Sequence, residues 1–222
     1  MITDSTELRE ELHAASVRFE NASPSDIIRW AVGRFSPSAF ACSFEDLVLL
    51  DLINRESSLV DVIFLDTKGH FPETHDFVAT ARARWGLSLV TTSPGPDAAE
   101  FPCGTAECCQ RRKVDPLGRT LANYQVWFTS VKRADGPTRR DMPIVSWDEK
   151  FHLVKVNPLA AWSDDDVAYY LRSQGLPEHP LWERGYASIG CAAVTEPPAP
   201  GADRRSGRWV GSDKEECGLH EG

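Results

Sequence analysis

The stretch Ala39 to Thr67 reads AFACSFEDLVLLDLINRESSLVDVIFLDT, and it decides the fold class. Ala39-Phe40-Ala41-Cys42-Ser43 is a short apolar run with the look of a buried strand. Leu47 to Ile53 carries apolar residues at helical spacing, and Val60 to Leu65 is a second buried strand. Strand, helix, strand in so few residues is a parallel crossover unit. Working outward, Thr74 to Trp85 reads as helix and Leu87 to Thr92 as strand, while Gln125 to Val131 and His152 to Val156 supply two further strands. Before the sheet, Asp4 and Glu7 ahead of Leu8 and Leu12 suggest a capped amphipathic helix, and Ser23-Pro24 starts a second. Late in the chain, Ser163 followed by Asp164, Asp165 and Asp166 marks a helix N-terminus that Gly175 ends. The expected architecture is α/β, an open and mostly parallel sheet with helices on both faces. In such sheets ligands bind beyond the carboxyl ends of the strands. That places Ser43-Phe44, Asp66-Thr67 and Thr129-Ser130 around a nucleotide site.

Composition sets the bounds. The chain has 222 residues, enough for one substantial core, and divides into a helical segment over 1–36, a core over 37–195 and a tail over 196–222 that follows the stiff run Glu196-Pro197-Pro198-Ala199-Pro200. A net charge of −9 argues against a broad nucleic-acid footprint. No apolar run approaches the roughly 20 residues that span a bilayer, and the polar, acidic start does not resemble a secretion signal, so a cytoplasmic location is expected. In that compartment six cysteines suggest metal or redox work rather than a disulfide framework.

The cysteines keep distinctive company. Cys217 lies close to the C-terminal end in Glu216-Cys217-Gly218-Leu219-His220, after Arg205-Ser206-Gly207-Arg208-Trp209. A thiol on a terminal segment can reach into a pocket and out again, as a shuttling nucleophile must. Upstream stand Cys108-Cys109, with Gln110-Arg111-Arg112-Lys113, and Gly190-Cys191. Thiols beside cationic groups and glycine turns suggest anion chemistry at sulfur.

Taken in order, several strings resemble the sulfonucleotide reductases, and particularly the bacterial adenosine-5′-phosphosulfate reductases of assimilatory sulfate reduction. They are Cys42-Ser43-Phe44 with Glu45-Asp46, Leu65-Asp66-Thr67 with His70 through Thr74, and Cys108-Cys109 through Lys113 and Pro116-Leu117. Pro137-Thr138-Arg139, Lys155 through Leu159, Tyr186 through Cys191 and the arginine-rich tail follow. The resemblance implies an adenine nucleotide alpha-hydrolase-like fold. It also implies that Cys217 attacks the sulfur of the substrate to form an S-sulfocysteine, which thioredoxin resolves with release of sulfite. Carried over position by position, Ser43, Phe44, Asp66, Thr67, Lys113, Arg139, Arg205 and Arg208 become substrate-binding residues. His220 either supports Cys217 or is an exposed terminal side chain. Relatives are often dimers or tetramers, and no interface pattern in the sequence settles that point.

The chain also departs from the family pattern. Members that use the substrate lacking a 3′-phosphate hold a [4Fe-4S] cluster on an adjacent cysteine pair and a later Cys-x-x-Cys. Cys108, Cys109 and Cys191 match three of these ligands, but the fourth position is Val194, which has no atom that binds iron. Three outcomes are open: a cluster on three cysteines that is labile or borrows a ligand, no cluster, or Cys103 as a substitute. Of these a labile or missing cluster is the favoured expectation; zinc is weaker, because adjacent cysteines suit a tetrahedral site poorly. The Ser43-Phe44-Glu45-Asp46 loop lacks about two small or polar residues usual in relatives, so a weaker phosphate cradle or a displaced helix start is expected. Lys68 replaces a glycine, and Lys132 stands where many relatives have arginine. These departures keep two alternatives in play: a diverged paralogue that binds without turnover, and a cluster-free reductase of the 3′-phosphorylated substrate.

Overall fold

The structure is a computed structural model that describes residues 2–212, 214 and 216–220. Its centre is a six-stranded sheet in the order β3-β2-β1-β4-β6-β5. The strands are β1 (Ser38–Cys42), β2 (Val60–Leu65), β3 (Leu89–Thr92), β4 (Val126–Phe128), β5 (Val145–Asp148) and β6 (Leu153–Val156). All neighbours run parallel except β5 and β6, which pair antiparallel. The chain leaves β1 toward β2 and β3 on one side and places β4 on the other, so the strand order reverses between β1 and β4. That reversal opens a crevice at the carboxyl ends of the strands.

Helices α1 (Thr6–Arg18), α2 (Pro24–Arg34), α3 (Val48–Glu56), α4 (Pro72–Trp85) and α7 (Asp164–Gln174) frame the fold with α5 (Ala106–Cys109) and α6 (Asp115–Leu121). The caps follow the expected chemistry with one change. Ser5, not Asp4, caps α1 by accepting from the backbone of Leu8 at 3.1 Å. Ser23 and Ser163 cap α2 and α7, and Gly86 and Gly175 end α4 and α7 with left-handed backbone.

Alternation along the strands divides the core. Phe40, Cys42, Val62 and Phe64 face a large apolar cluster with Leu12, Ile28, Leu49, Ile53 and Phe77 from the helices. Ala39, Ile63, Trp127 and Leu153 face the other way, where Leu117 and Leu121 of α6 meet them. That second layer is thinner, and Leu219 of the tail packs onto it. The tail therefore contributes hydrophobic cover to the same sheet face whose end forms the crevice.

Candidate active site

Each wall of the crevice is built by a sheet end or by the tail. A cavity of about 190 Å³ opens where β1, β2 and β4 end, and Ser43, Thr67, Thr129 and Ser130 line it. Asn157, fully buried, fixes this rim: its amide donates to the Pro143 carbonyl at 2.8 Å, and its oxygen accepts from the Thr129 hydroxyl. Cys217, Leu219 and His220 line the cavity from the opposite side.

The loop after β1 is acidic. Ser43 accepts from the backbone of Glu45 at 3.3 Å, and Asp46 accepts from the Val48 amide at 3.0 Å just ahead of α3. The helix starts one residue later than its apolar spacing suggests, with Leu47 at the N-cap position and no side chain capping it. Burial pushes the Asp46 carboxyl up, and the neighbouring Glu45 adds to this against the Val48 hydrogen bond. Phe44 sits fully buried with φ +55° and stands edge-on to Phe64, so it belongs to the core beneath the cavity. After β2, Lys68 takes φ +59°, the left-handed region where a glycine is at ease. It does not point freely into water: its ammonium reaches Asp66 at 2.6 Å, and its backbone amide donates to the same carboxylate at 3.0 Å. Burial raises Asp66, but these bonds outweigh it and hold the carboxyl below its usual range.

The tail wall is cationic. Arg139 binds Glu216 with two parallel hydrogen bonds of 2.8 and 3.0 Å, Arg205 adds a third at 3.3 Å, and Thr138 donates at 3.2 Å. Burial and the charges of Arg139 and Arg208 lower Arg205, although Glu216 pulls it the other way. Asp135 pairs with Arg139 as well, at 3.0 Å, and the guanidinium groups of Arg139, Arg205 and Arg208 all line the cavity, where they can meet an anion. Arg208 donates to the Ser188 hydroxyl at 3.0 Å and the Ile189 carbonyl at 3.1 Å. A side chain at Gly190 would start 2.3 Å from that guanidinium, so only glycine lets Arg208 lie across the loop. Trp209, buried, stacks beneath both Arg205 and Arg208, with ring centroids 5.4 and 4.9 Å from their guanidinium carbons.

Lys113 joins the cavity to a second, smaller one. It lies on a π-helical turn over Gln110–Val114 that links α5 to α6, the kind of helical irregularity that often marks a functional site. Burial disfavours its charge, but the negative charge that Cys217, Cys191 and Cys109 carry when ionised outweighs burial and pushes Lys113 up. Cys108, Cys109 and Cys191 line the smaller cavity together with Cys103 and Val194; Lys113, Cys191, Arg208 and Trp209 line both. These four residues form the partition between the crevice and the cysteine cavity.

His220 lies parallel to Trp127 at a centroid distance of 5.8 Å. The residue is partly buried, yet its Nδ1 is enclosed without a partner among the described residues. Burial, with Lys155, Arg139, Arg205 and Lys150 nearby, holds the imidazole well below its usual range and therefore neutral. That leaves it a packing and orienting part rather than the cation that would favour a thiolate. Lys150 completes the tail's anchorage by donating to the Gly218 carbonyl. Lys132 is buried and pairs with Asp135 at 2.7 Å, so it braces the cavity floor.

Glu216 and Trp209 were not singled out by the sequence. An acid beside an anion site reads as repulsive until its two arginines are seen, although the arginine-rich string before it was a usable signal.

The chain is similar to known proteins over most of its length. The phosphoadenosine phosphosulfate reductase domain matches residues 38–197. The chain is similar to the adenosine 5′-phosphosulfate reductase of Mycolicibacterium smegmatis, 40% identical over 99% of this chain and 98% of that protein. Its counterpart in Rhodococcus erythropolis is 38% identical over 96% and 95%. The crystal structure of phosphoadenylyl-sulfate reductase from Candida auris superimposes with a TM-score of 0.73 at 26% identity, covering 88% of this chain and 99% of that one. The FMN adenylyltransferase of Candida glabrata, at 17% identity and TM-score 0.62 over 89% of this chain and 70% of that one, shares the fold alone.

Proposed function

The chain belongs to the phosphoadenosine phosphosulfate reductase domain family, and from that membership we propose that it reduces adenosine 5′-phosphosulfate to sulfite and AMP through a covalent intermediate on Cys217. It is a sulfonucleotide reductase. The observation that carries the finer reading is that Cys217 lines one cavity with Lys113, Arg139, Arg205, Arg208 and the carboxyl ends of β1, β2 and β4. The nucleotide extends over the sheet ends, and its sulfonate turns toward the tail.

The Cys217 thiolate attacks the sulfonate sulfur. A sulfur–sulfur bond forms, the bond from sulfur to the bridging phosphate oxygen breaks, and its electron pair leaves with AMP. Lys113 and the guanidinium groups stabilise the charge that builds on the phosphate oxygens. A dithiol of the thioredoxin type then attacks the Cys217 sulfur and expels sulfite with the electron pair of the sulfur–sulfur bond. Its second thiol resolves the mixed disulfide, returns Cys217 and leaves the dithiol oxidised. His220 holds the tail against Trp127 while Leu219 seals the sheet face.

A [4Fe-4S] cluster fits the donor set beside the partition: Cys108, Cys109 and Cys191 line one cavity, and Arg112, Lys113 and Arg208 offset the negative charge of a thiolate-bound cube. Among the described residues, no group of three or more His, Cys, Asp or Glu side chains is spaced to hold a single metal ion. A four-iron cube is larger and takes its thiolates further apart. Bound there on Cys108, Cys109 and Cys191, it would link α5 to the Cys191 loop and supply charge next to Lys113.

Sulfite release from each nucleotide, with thioredoxin as reductant and anaerobically purified protein, tests the proposal. The expected result is turnover with adenosine 5′-phosphosulfate and little with its 3′-phosphorylated form. Cys217→Ser removes turnover, at least about a thousandfold as for loss of a covalent nucleophile, and leaves nucleotide affinity within about threefold. Sulfite from neither nucleotide would show a diverged paralogue, and preference for the 3′-phosphorylated form would reverse the substrate assignment.

A further inference from the structure

Val194 leaves the cysteine cavity one family ligand short, yet the cavity contains a fourth thiol. Cys103 lines it together with Cys108, Cys109 and Cys191. The other buried cysteine, Cys42, lies in the main core under β1 and is no part of this group. We infer that Cys103 is the fourth thiolate of the cluster site, in place of the ligand that the position of Val194 lacks. This inference rests on the reading of that cavity as a cluster site.

The local backbone is shaped for the role. Gly104 takes φ +95°, and a Cβ there would approach Val194 Cγ1 to 3.0 Å. Glycine is therefore required twice, for its backbone angle and for the contact. The valine methyl fills the space over Gly104, and the adjoining Cys103 lies at the cavity wall. The turn is tied directly to the helix that bears the cysteine pair. Thr105 donates its hydroxyl proton to the Pro102 carbonyl at 3.0 Å, and its oxygen accepts from the Cys108 amide at 3.1 Å. The Thr105 carbonyl accepts from Cys109 at 3.2 Å and from the Lys214 ammonium at 3.3 Å. One residue thus couples the Cys103 turn, the cysteine pair and the tail.

An iron core takes four thiolates at once, and the lining of this cavity supplies four cysteines. A valine at the fourth family position and a cysteine at Cys103 then compensate one another: the ligand count is kept while one ligand changes strand of origin.

The test compares the parent chain, Cys103→Ser, Val194→Cys and the Cys103→Ser/Val194→Cys pair, each reconstituted anaerobically with iron and sulfide. Iron and sulfide content, visible absorbance and electron paramagnetic resonance are recorded beside a thermal melt that confirms folding. The parent is expected to hold about four irons per chain, as a cube on four thiolates does. Cys103→Ser should lose most of that iron, or on mild oxidation shed one iron to give a three-iron signal, and the double variant should regain the parent's content. A cluster in Cys103→Ser that matches the parent in iron and oxidative stability overturns the role of Cys103 alone. A parent without a cluster, beside a Val194→Cys chain that binds one, also overturns it while preserving the cavity as a cluster site. Absence of a cluster in every folded chain refutes the cluster reading itself and this inference with it.

Discussion

The two walls of the crevice carry opposite charge. The sheet-end wall presents Glu45 and Asp46, with Asp66 outside the cavity lining, and the tail wall presents Arg139, Arg205 and Arg208 with Lys113 at the partition. Their charges are also managed differently. On the sheet side Asp46 is committed to the start of α3 and Asp66 to Lys68, while Glu45 reaches across to Arg204 of the tail at 2.8 Å. On the tail side Glu216 occupies Arg139 and Arg205, Asp135 pairs with Arg139 at 3.0 Å, and Arg208 bonds the Ser188 hydroxyl and the Ile189 carbonyl. The difference teaches where an anion belongs. On the proposed function, the sulfonate and phosphate belong at the tail wall and the neutral adenosine portion at the sheet ends.

The largest effects are expected where that asymmetry is reversed. Arg208→Ala should weaken adenosine 5′-phosphosulfate binding by about 2 to 3 kcal/mol, roughly 30- to 150-fold, the worth of charge-assisted hydrogen bonds. Gly190→Ala should reproduce part of this loss, because its methyl takes the place of the guanidinium. Glu45→Gln on the facing wall should change affinity by no more than about threefold, since its charge is spent on Arg204. Calorimetric titration of the three variants against the parent checks the ordering. Equal losses from Arg208→Ala and Glu45→Gln would remove the distinction between the walls.

An intermediate effect is expected at Glu216, the point where the tail occupies its own anion site. Glu216→Gln keeps the shape but weakens the bidentate pairing with Arg139. Tail docking should loosen by about 1.5 to 2 kcal/mol, ten- to thirtyfold, read as faster proteolysis between Pro200 and Cys217. Burial raises the Glu216 carboxyl, but Arg139 and Arg205 outweigh burial and hold it below the usual glutamate range. A depressed value means that the contribution is complete above the unfolded glutamate value of about 4.3 and is lost as pH falls through the folded one. The parent tail should therefore release only in acid below the ordinary glutamate range, while the Gln variant shows no such step. A step of equal size in both would assign it to another carboxylate.

Much of the sheet-end wall was legible because it depends on patterns local in sequence. The strands over Ala39–Ser43 and Val60–Leu65 are apolar runs between turn residues, and parallel pairing follows from the helices between them. The β5 strand escaped notice: Val145-Ser146-Trp147-Asp148 is short, mixed in polarity and preceded by Pro143, and only its antiparallel partner β6 makes it a strand. The tail wall was legible as a set of arginines but not as a geometry. Which arginine meets Glu216, and that Trp209 supports two of them, depends on contacts across the whole fold. Cys103 belongs to the same class. Its distance from Cys191 in sequence conceals a shared cavity, and nothing in composition reveals that Gly104 and Val194 touch.

The smallest effect is expected at Lys68, and it sharpens the account of the sheet-end wall. A non-glycine residue in the left-handed region costs about 1 to 2 kcal/mol, whereas glycine there costs about 0.5 to 1 kcal/mol in unfolded-state entropy. Lys68→Gly also gives up the pairing with Asp66, a half-exposed contact of about 0.2 to 1 kcal/mol. These contributions nearly cancel, so Lys68→Gly should melt within about 2 to 4 °C of the parent, the shift that 1 kcal/mol gives in a chain of this size. What should change is Asp66. Without the ammonium its carboxyl loses the hydrogen bond that holds it low and moves back toward the ordinary aspartate range, which an NMR titration of the two proteins resolves. A large loss of stability on Lys68→Gly would mean that the pairing with Asp66 outweighs the backbone strain, and that the lysine is part of what holds the loop in place.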